Sequence, residues 1–530
     1  MSMRPSTLST DGMVSSSHPA ASVVGARVLA DGGNAIDATL AMAAMTWLTL
    51  PGQCGIGGDA FAVIRDPDGH VHTIGGSGFG PDGADVDFYR DRGHTSIPLD
   101  GALGVAVPGA PAALAALHRS GATRSLVELW EPAARAAERG LPCSAKTRSD
   151  IAEAVDAIAR DPGLSAVYLP GGSLPHVGQQ LPQADLARTI RTMATDPGWF
   201  YTGSFAEQAV AALARGGAPF SGEEWAATAD ALVAPSITMN YGGAVVHQTP
   251  LPTPGWMVLQ QAALCDRSVG FTPWMSTIAI DRMARAARMS FEDRFARCGA
   301  DSDAWRSLLT EESIASARKK LDSGTLAPSA FDVHDGDTTS TVVVDSDGRA
   351  VSFIHSLAFT FGAKISVSGT GVVLNNRFGR GAYLIPGHPN SVQPRRRPLH
   401  TLNAWIVTDS ENNLLHVGNT PGGDGQVQWN MQLLSHLIDH GLGPAEAVAA
   451  PRFTVFPGSD SDVVGLESEL RCEDRIDPGT VDELERLGHR VRRQSSWGGG
   501  GSAQVISMDN DRGLMIGAAD PRQEGIALSA

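Results

Sequence analysis

The chain has 530 residues, of which 42% are hydrophobic and 18% charged, and it carries a net charge of −16. That is the balance of a folded globular protein, long enough for one large core or several compact units. The acidic excess argues against a general nucleic-acid surface, which needs clustered Lys and Arg. The one dense basic run, Arg395-Arg396-Arg397, is short and is followed by Pro398. Five widely spaced cysteines (Cys54, Cys143, Cys265, Cys298 and Cys472) form no C-x-x-C pair. Their odd number argues against a disulfide framework or a zinc cluster and for reduced, buried thiols. The N-terminal segment has no basic stretch followed by an apolar one. The longest apolar run, Ala35 to Leu50, contains Asp37 and falls short of a membrane span. A soluble, cytoplasmic protein with no membrane partner is expected.

In chain order, Ser17-His18-Pro19 reads as a helix start, with apolar positions from Ala20 to Leu29 on one stripe. Asp31-Gly32-Gly33 stops that helix, and Asn34 caps a second one to about Leu48. Pro51 to Asp59 (PGQCGIGGD) is a tight glycine loop, and Ala60–Arg65 and His70–Ile74 read as paired strands. From Val107 to Cys298 the chain is alanine-rich and mostly helical. Helices are predicted at Pro111–Ser120, Leu126–Arg139, Ser144–Ala159 and Phe205–Arg215. Strands and glycine turns follow residue 338, and helices return at Gly425–His440 and Thr480–Leu487. The mixture predicts α/β layers without an internal repeat.

The most informative stretch is Asp337-Thr338-Thr339-Ser340-Thr341-Val342-Val343-Val344. A small hydroxyl residue opens a β-branched strand, and a loose Gly/Asp/Ser/Pro segment, Leu321 to Asp337, leads into it. That layout suits a chain that cuts itself between Asp337 and Thr338. Thr338 would then carry a free α-amine beside its own hydroxyl, supplying base and nucleophile from one residue. Thr341–Val344 and Ala350–Ile354 flank Ser346-Asp347-Gly348-Arg349, a strong hairpin signal. Pairing about that turn brings Thr338 near Ser356 and Leu357, so a second hydroxyl, Ser356, would lie close enough to orient the first or share its proton. An ordinary hairpin with threonine at its edge fits the same pattern.

Pro421-Gly422-Gly423-Asp424-Gly425 precedes a predicted helix. Gly422 and Gly423 can aim backbone N–H groups at a developing negative charge; a plain strand-to-helix turn is the alternative. The chain has no dinucleotide glycine motif, Walker A lysine, G-x-S-x-G elbow or H-E-x-x-H pair.

Taken together these segments resemble the γ-glutamyltranspeptidase family of N-terminal-nucleophile hydrolases. The resemblance runs from Asp11-Gly12-Met13-Val14, Gly32-Gly33-Asn34-Ala35-Ile36-Asp37-Ala38 and Gly55-Ile56-Gly57-Gly58 through Thr338-Thr339. It continues in Asn375-Asn376, Arg397-Pro398-Leu399, Pro421-Gly422-Gly423, Ala450-Pro451-Arg452-Phe453 and Gly517 to Arg522. It implies a four-layer αββα sandwich of α/β class, made as a proenzyme. Autocleavage would give a large subunit, 1–337, and a small one, 338–530, that together form one αββα unit. It also implies an acyl-enzyme on Thr338, with Gly422 and Gly423 as oxyanion donors, and no metal or organic cofactor. The partners implied are a small-molecule substrate and the chain's own two processed subunits, with a dimer of the processed pair as a further option.

The chain departs from the γ-glutamyl enzymes where they hold the glutamyl group. Ser77-Gly78-Phe79-Gly80-Pro81 stands in place of an R-E-x-x-P motif, and Ala358 in place of an asparagine. Arg377 replaces a glutamine, and His400-Thr401 replace paired serines. These positions look like the family's other branch, which includes cephalosporin acylase-like proteins and oxamate amidohydrolases. Arg377, with Arg380, His400, Thr401 and Ser77, would form a cationic pocket for a short acyl group ending in carboxylate. Each has a bland alternative: an ion pair or surface role for Arg377 and Arg380, packing or hydrogen bonding for His400. The expected reaction is hydrolysis of such an acyl amide. The same acyl-threonine would also serve a C–C hydrolase releasing an oxalyl unit, as in 4-alkylproline-type antibiotic pathways. True γ-glutamyl transfer and a non-catalytic binding role are the remaining readings.

Overall fold

The structure is a computed structural model and describes residues 4–266, 269–323, 330–331, 338–456, 458–459 and 464–530. Asp337, the proposed cleavage position before Thr338, lies outside the described residues.

Two seven-stranded sheets form the middle of the molecule. Their strands, in chain order, are β1 (Thr7–Ser9), β2 (Gly12–Ser16), β3 (Asp59–Arg65), β4 (Val71–Gly76), β5 (Leu232–Pro235), β6 (Ile237–Tyr241) and β7 (Ala244–Gln248). The second half adds β8 (Thr339–Asp345), β9 (Ala350–Ser356), β10 (Ala404–Thr408), β11 (Leu414–Asn419), β12 (Gln504–Asp509), β13 (Leu514–Ala519) and β14 (Ile526–Ser529). The first sheet runs β14-β2-β8-β9-β3-β4-β5 and the second β1-β13-β12-β11-β10-β7-β6. All pairings within both sheets are antiparallel.

The facing surfaces of the two sheets bury Phe61, Val63, Val342, Ile354, Ile406 and Val417. The outer face of the first sheet packs on helices α1 (Pro19–Ala30), α2 (Ala35–Thr49), α3 (Ala110–Arg119) and α4 (Leu126–Arg139). The second sheet's outer face packs on α5 (Gly255–Cys265), α6 (Thr277–Arg297) and α7 (Gly425–Leu434). This is the four-layer αββα sandwich expected from the sequence. Sheets buried on both faces explain why β3, β8 and β9 are buried at every position.

Local sequence accounts for the elements that frame Thr338. Asn34 and Asp37 form a reciprocal capping box on α2. In the β8–β9 hairpin, Asp345 Oδ1 accepts from the N–H groups of Asp347 and Arg349 at 3.1 and 2.9 Å, and Gly348 takes φ +78°. Two expected helices differ. Ser144–Ala159 breaks at Ala154 (φ −102°, ψ +13°) into Ala145–Glu153 and Val155–Arg160. The helix from Gly425 is α-helical only to Leu434, then widens into a π turn over Ser435–Asp439, across which Ser435 Oγ donates to Asp439.

All five cysteines are buried, and none of them forms a disulfide among the described residues. Arg395 pairs with Asp82 and Glu223, Arg396 with Asp301, and Arg397 donates to the Ser77 carbonyl. The basic run is therefore bound by its own chain. Among the described residues no helix is long and apolar enough to cross a membrane.

Candidate active site

Thr338 immediately precedes β8, one residue beyond the last β8–β9 pair, Thr339–His355. Side chains alternate along a strand, so Thr338, Ser340 and Val342 share the face turned toward the second sheet. Thr338 is 2% exposed, and its Oγ1 donates to Ser356 Oγ at 3.1 Å. The hairpin count therefore placed the two hydroxyls together correctly. Ser356 Oγ also accepts from the Ala358 N–H at 2.8 Å. That bond requires a sharp reversal, and Ala358 sits at φ +83°, where a residue with a Cβ is strained.

On the neighbouring strand, Asp59 lies directly opposite Ser356. Cross-strand partners put their side chains on one face about 5 Å apart. Asp59 Oδ2 accepts from Arg377 Nε at 3.1 Å with both side chains fully buried, and Oδ1 accepts from the Gly109 N–H at 3.1 Å. Burial pushes the Asp59 carboxyl up to about 6, and Arg377 offsets only part of that. Arg377 thus reaches the strand position opposite Ser356 through Asp59, with one edge of its guanidinium committed to that acidic residue of its own chain. Sequence reading did not single out Asp59, although it closes the glycine loop that was noted.

Ser77 and His400 meet through Ser77 Oγ and His400 Nε2 at 2.7 Å, and Ser77 O accepts from Arg397 Nε at 2.9 Å. His400 packs edge-on against Phe61, with ring centroids 4.8 Å apart. Burial first, then Arg377, Arg294 and Arg397, holds its pKa well below the ordinary imidazole value. This setting favours the hydrogen-bonding role for His400 over a titrating one. Thr401 is buried beside it. Arg380, on the short helix Arg377–Gly381, is buried with its guanidinium carbon 4.1 Å from the Phe359 ring centroid. It stacks on an aromatic face rather than lying at the surface.

Strand β11 delivers the loop from Thr420 to Asp424 to the N-terminus of α7. Asn419 ties that strand to the hairpin, its Nδ2 donating to Ser352 Oγ and Phe353 O at 3.0 Å. Gly422 and Gly423 have φ +124° and +55°. Among the described residues neither N–H donates a hydrogen bond, which suits groups kept for a ligand. A Cβ on Gly422 would lie 2.2 Å from Trp429 Cζ3. Gly422→Ala is therefore expected to displace the loop and lower turnover by about 10²-fold or more, read as a fall in kcat.

Among the described residues one group could hold a metal ion: Asp66, His70 and His72, whose ligand atoms lie within 4.8 Å of one another. It sits at the far end of the β3–β4 hairpin from Asp59, and Asp66 already pairs with Arg349 at 3.2 Å.

The Gamma-glutamyltranspeptidase family profile matches residues 21–530. The chain belongs to that family. As a γ-glutamyltranspeptidase-family protein it is an enzyme of the N-terminal-nucleophile hydrolase class. It is 30% identical over 534 residues to the Glutathione hydrolase-like YwrD proenzyme of Bacillus subtilis (strain 168), spanning 99% of this chain and 100% of that one. It is equally 30% identical over 538 residues to the Oxamate amidohydrolase proenzyme of Klebsiella pneumoniae, spanning 99% of each. The solved structure of cephalosporin acylase from Bacillus halodurans matches with a TM-score of 0.90 at 27% identity, covering 100% of this chain and 98% of that one.

Proposed function

We propose that this chain is a proenzyme that cuts itself between Asp337 and Thr338, and that the matured enzyme hydrolyses amides of a short, carboxylate-bearing acyl group. The observation that carries the reading is the buried contact between Thr338 Oγ1 and Ser356 Oγ at the head of a central strand, with the Asp59–Arg377 pair beside it. The likeness to amidohydrolase and acylase relatives supports it.

In maturation Thr338 Oγ attacks the Asp337 carbonyl, the peptide nitrogen leaves as the Thr338 amine, and water hydrolyses the ester. In turnover that amine takes the Oγ proton, directly or through water. Oγ bonds to the substrate acyl carbon, and the Gly422 and Gly423 N–H groups stabilise the oxyanion. The amine leaving group departs with the proton, and water releases the acid. Arg377 is the cation assigned to the acyl carboxylate in this reading, alongside its ion pair with Asp59.

The test is turnover of a panel of p-nitroanilides bearing oxalyl, malonyl, succinyl, glutaryl, γ-glutamyl and neutral butyryl groups. The ω-carboxyacyl members are expected to exceed the butyryl one by about tenfold or more in kcat/KM. Preference for γ-glutamyl would make the enzyme a glutamyl hydrolase. Inactivity on all amides, with release of oxalate from a 2-oxo acid side chain, would replace the amidase reading by C–C hydrolysis.

A further inference from the structure

Gln53 lies in the loop between α2 and β3 and touches both ends of the nucleophile hairpin. Its backbone carbonyl accepts from the Leu357 N–H at 3.0 Å, just past the end of β9. Its side-chain amide faces the start of β8. The surrounding donors and acceptors orient the amide nitrogen toward Thr338 O and Thr339 Oγ1, both at 3.1 Å, and the amide oxygen toward Lys146 Nζ at 3.2 Å. Lys146 is held by Asp150 at 2.5 Å, one turn away on the helix Ala145–Glu153. The loop rests directly on that ion pair: a Cβ on Gly52 would come within 2.8 Å of Asp150.

We propose that Gln53, oriented and polarised by Lys146, is a positioning residue that fixes Thr338 for attack. This rests on the reading of Thr338 as the nucleophile. Thr338 lies one residue past the β8–β9 ladder, where strand pairing no longer holds its backbone. A buried carbonyl there requires another donor, and Gln53 supplies it. Two torsions, ψ and χ1, decide where the Thr338 hydroxyl points. The Gln53 bond fixes the carbonyl plane from which ψ is measured, and the Ser356 bond fixes χ1. With an ammonium at its oxygen the Gln53 amide is held against flipping, and its N–H becomes the stronger donor. After cleavage frees the residue on its N-terminal side, these two contacts are what keep Oγ in place.

The test follows conversion of the full-length chain into its two pieces by intact mass during cell-free synthesis. It compares wild type with Gln53→Met, Lys146→Met and Lys146→Arg. Gln53→Met keeps length and bulk but has no amide, and Lys146→Arg keeps the cationic donor. Displacing a reacting atom by about 1 Å costs on the order of 10²-fold. Both Met variants are therefore expected to slow conversion about tenfold or more, with Lys146→Arg recovering most of the rate. Thermal melts in a Thr338→Ala background, where no form is cut, check that each variant folds. Wild-type rates in both Met variants would overturn the proposal, as would equal slowing in Lys146→Met and Lys146→Arg. Should Gln53→Met not fold, the Lys146 pair still decides. An uncut wild type would instead overturn the assignment of Thr338 on which the proposal rests.

Discussion

Thr338→Ala is expected to leave a single 530-residue polypeptide, while the wild-type chain resolves into pieces of 337 and 193 residues. The substitution removes the one atom that both reactions need, so no graded loss is expected: maturation stops and turnover falls to background. Folding should survive. Alanine accepts the same extended backbone, and Ser356 Oγ keeps its bond from the Ala358 N–H. The lost Thr338–Ser356 hydrogen bond is worth about 1 kcal/mol. Thr338→Ser separates the hydroxyl from the rest of the side chain. Serine keeps Oγ but lacks the methyl that restricts χ1, so cleavage should persist at a reduced rate. Intact mass of the three purified proteins reads all of this. A wild-type chain that stays whole, or a Thr338→Ala chain that is cut, would remove residue 338 from the centre of the mechanism.

The hairpin that carries Thr338 was legible because its determinants are local. Asp347-Gly348 sets the turn, the apolar alternation sets the strands, and counting outward from Asp347 puts residue 338 against residue 356. The caps on α1 and α2 were legible for the same reason: His18 and Asn34 bond to N–H groups two or three residues ahead. The surroundings of Thr338 were not, because they come from strand order. Asp59 reaches Ser356 because β3 pairs with β9, and it reaches Arg377 across 318 positions. Ser77 and His400 meet across 323. Nothing near Arg377 in sequence tells whether its counter-charge comes from the chain or from a substrate. For His400 the sequence left a donor and a titrating group both open. Its sequence neighbours and the grouping with Arg377 supplied two of the three arginines around it, but its complete burial and the approach of Arg294 come from the fold.

Asp59 should show its buried, ionisable character in the pH dependence of stability. Its carboxyl is raised to about 6 from an ordinary value of 3.8, because burial outweighs the attraction of Arg377 and the Gly109 N–H. An acid that holds its proton more tightly when folded stabilises the native state at low pH, and that contribution is lost as pH rises from about 4 to about 6. Asp59→Asn abolishes the titration while keeping a carbonyl acceptor for Arg377 Nε. Its cost relative to wild type should therefore shrink between pH 4 and pH 7, by up to about 3 kcal/mol. Denaturant midpoints at the two pH values measure this, and a difference that stays flat would mean that Asp59 titrates normally. Asp59→Ala removes both acceptors and leaves the Arg377 charge buried without that partner, which costs about 3–5 kcal/mol. Arg377→Met asks the complementary question. If the guanidinium both neutralises Asp59 and meets the acyl carboxylate, kcat/KM should fall about 10²-fold for ω-carboxyacyl anilides and far less for the butyryl one. Equal losses on the two classes would confine Arg377 to its ion pair and move carboxylate recognition elsewhere in the pocket.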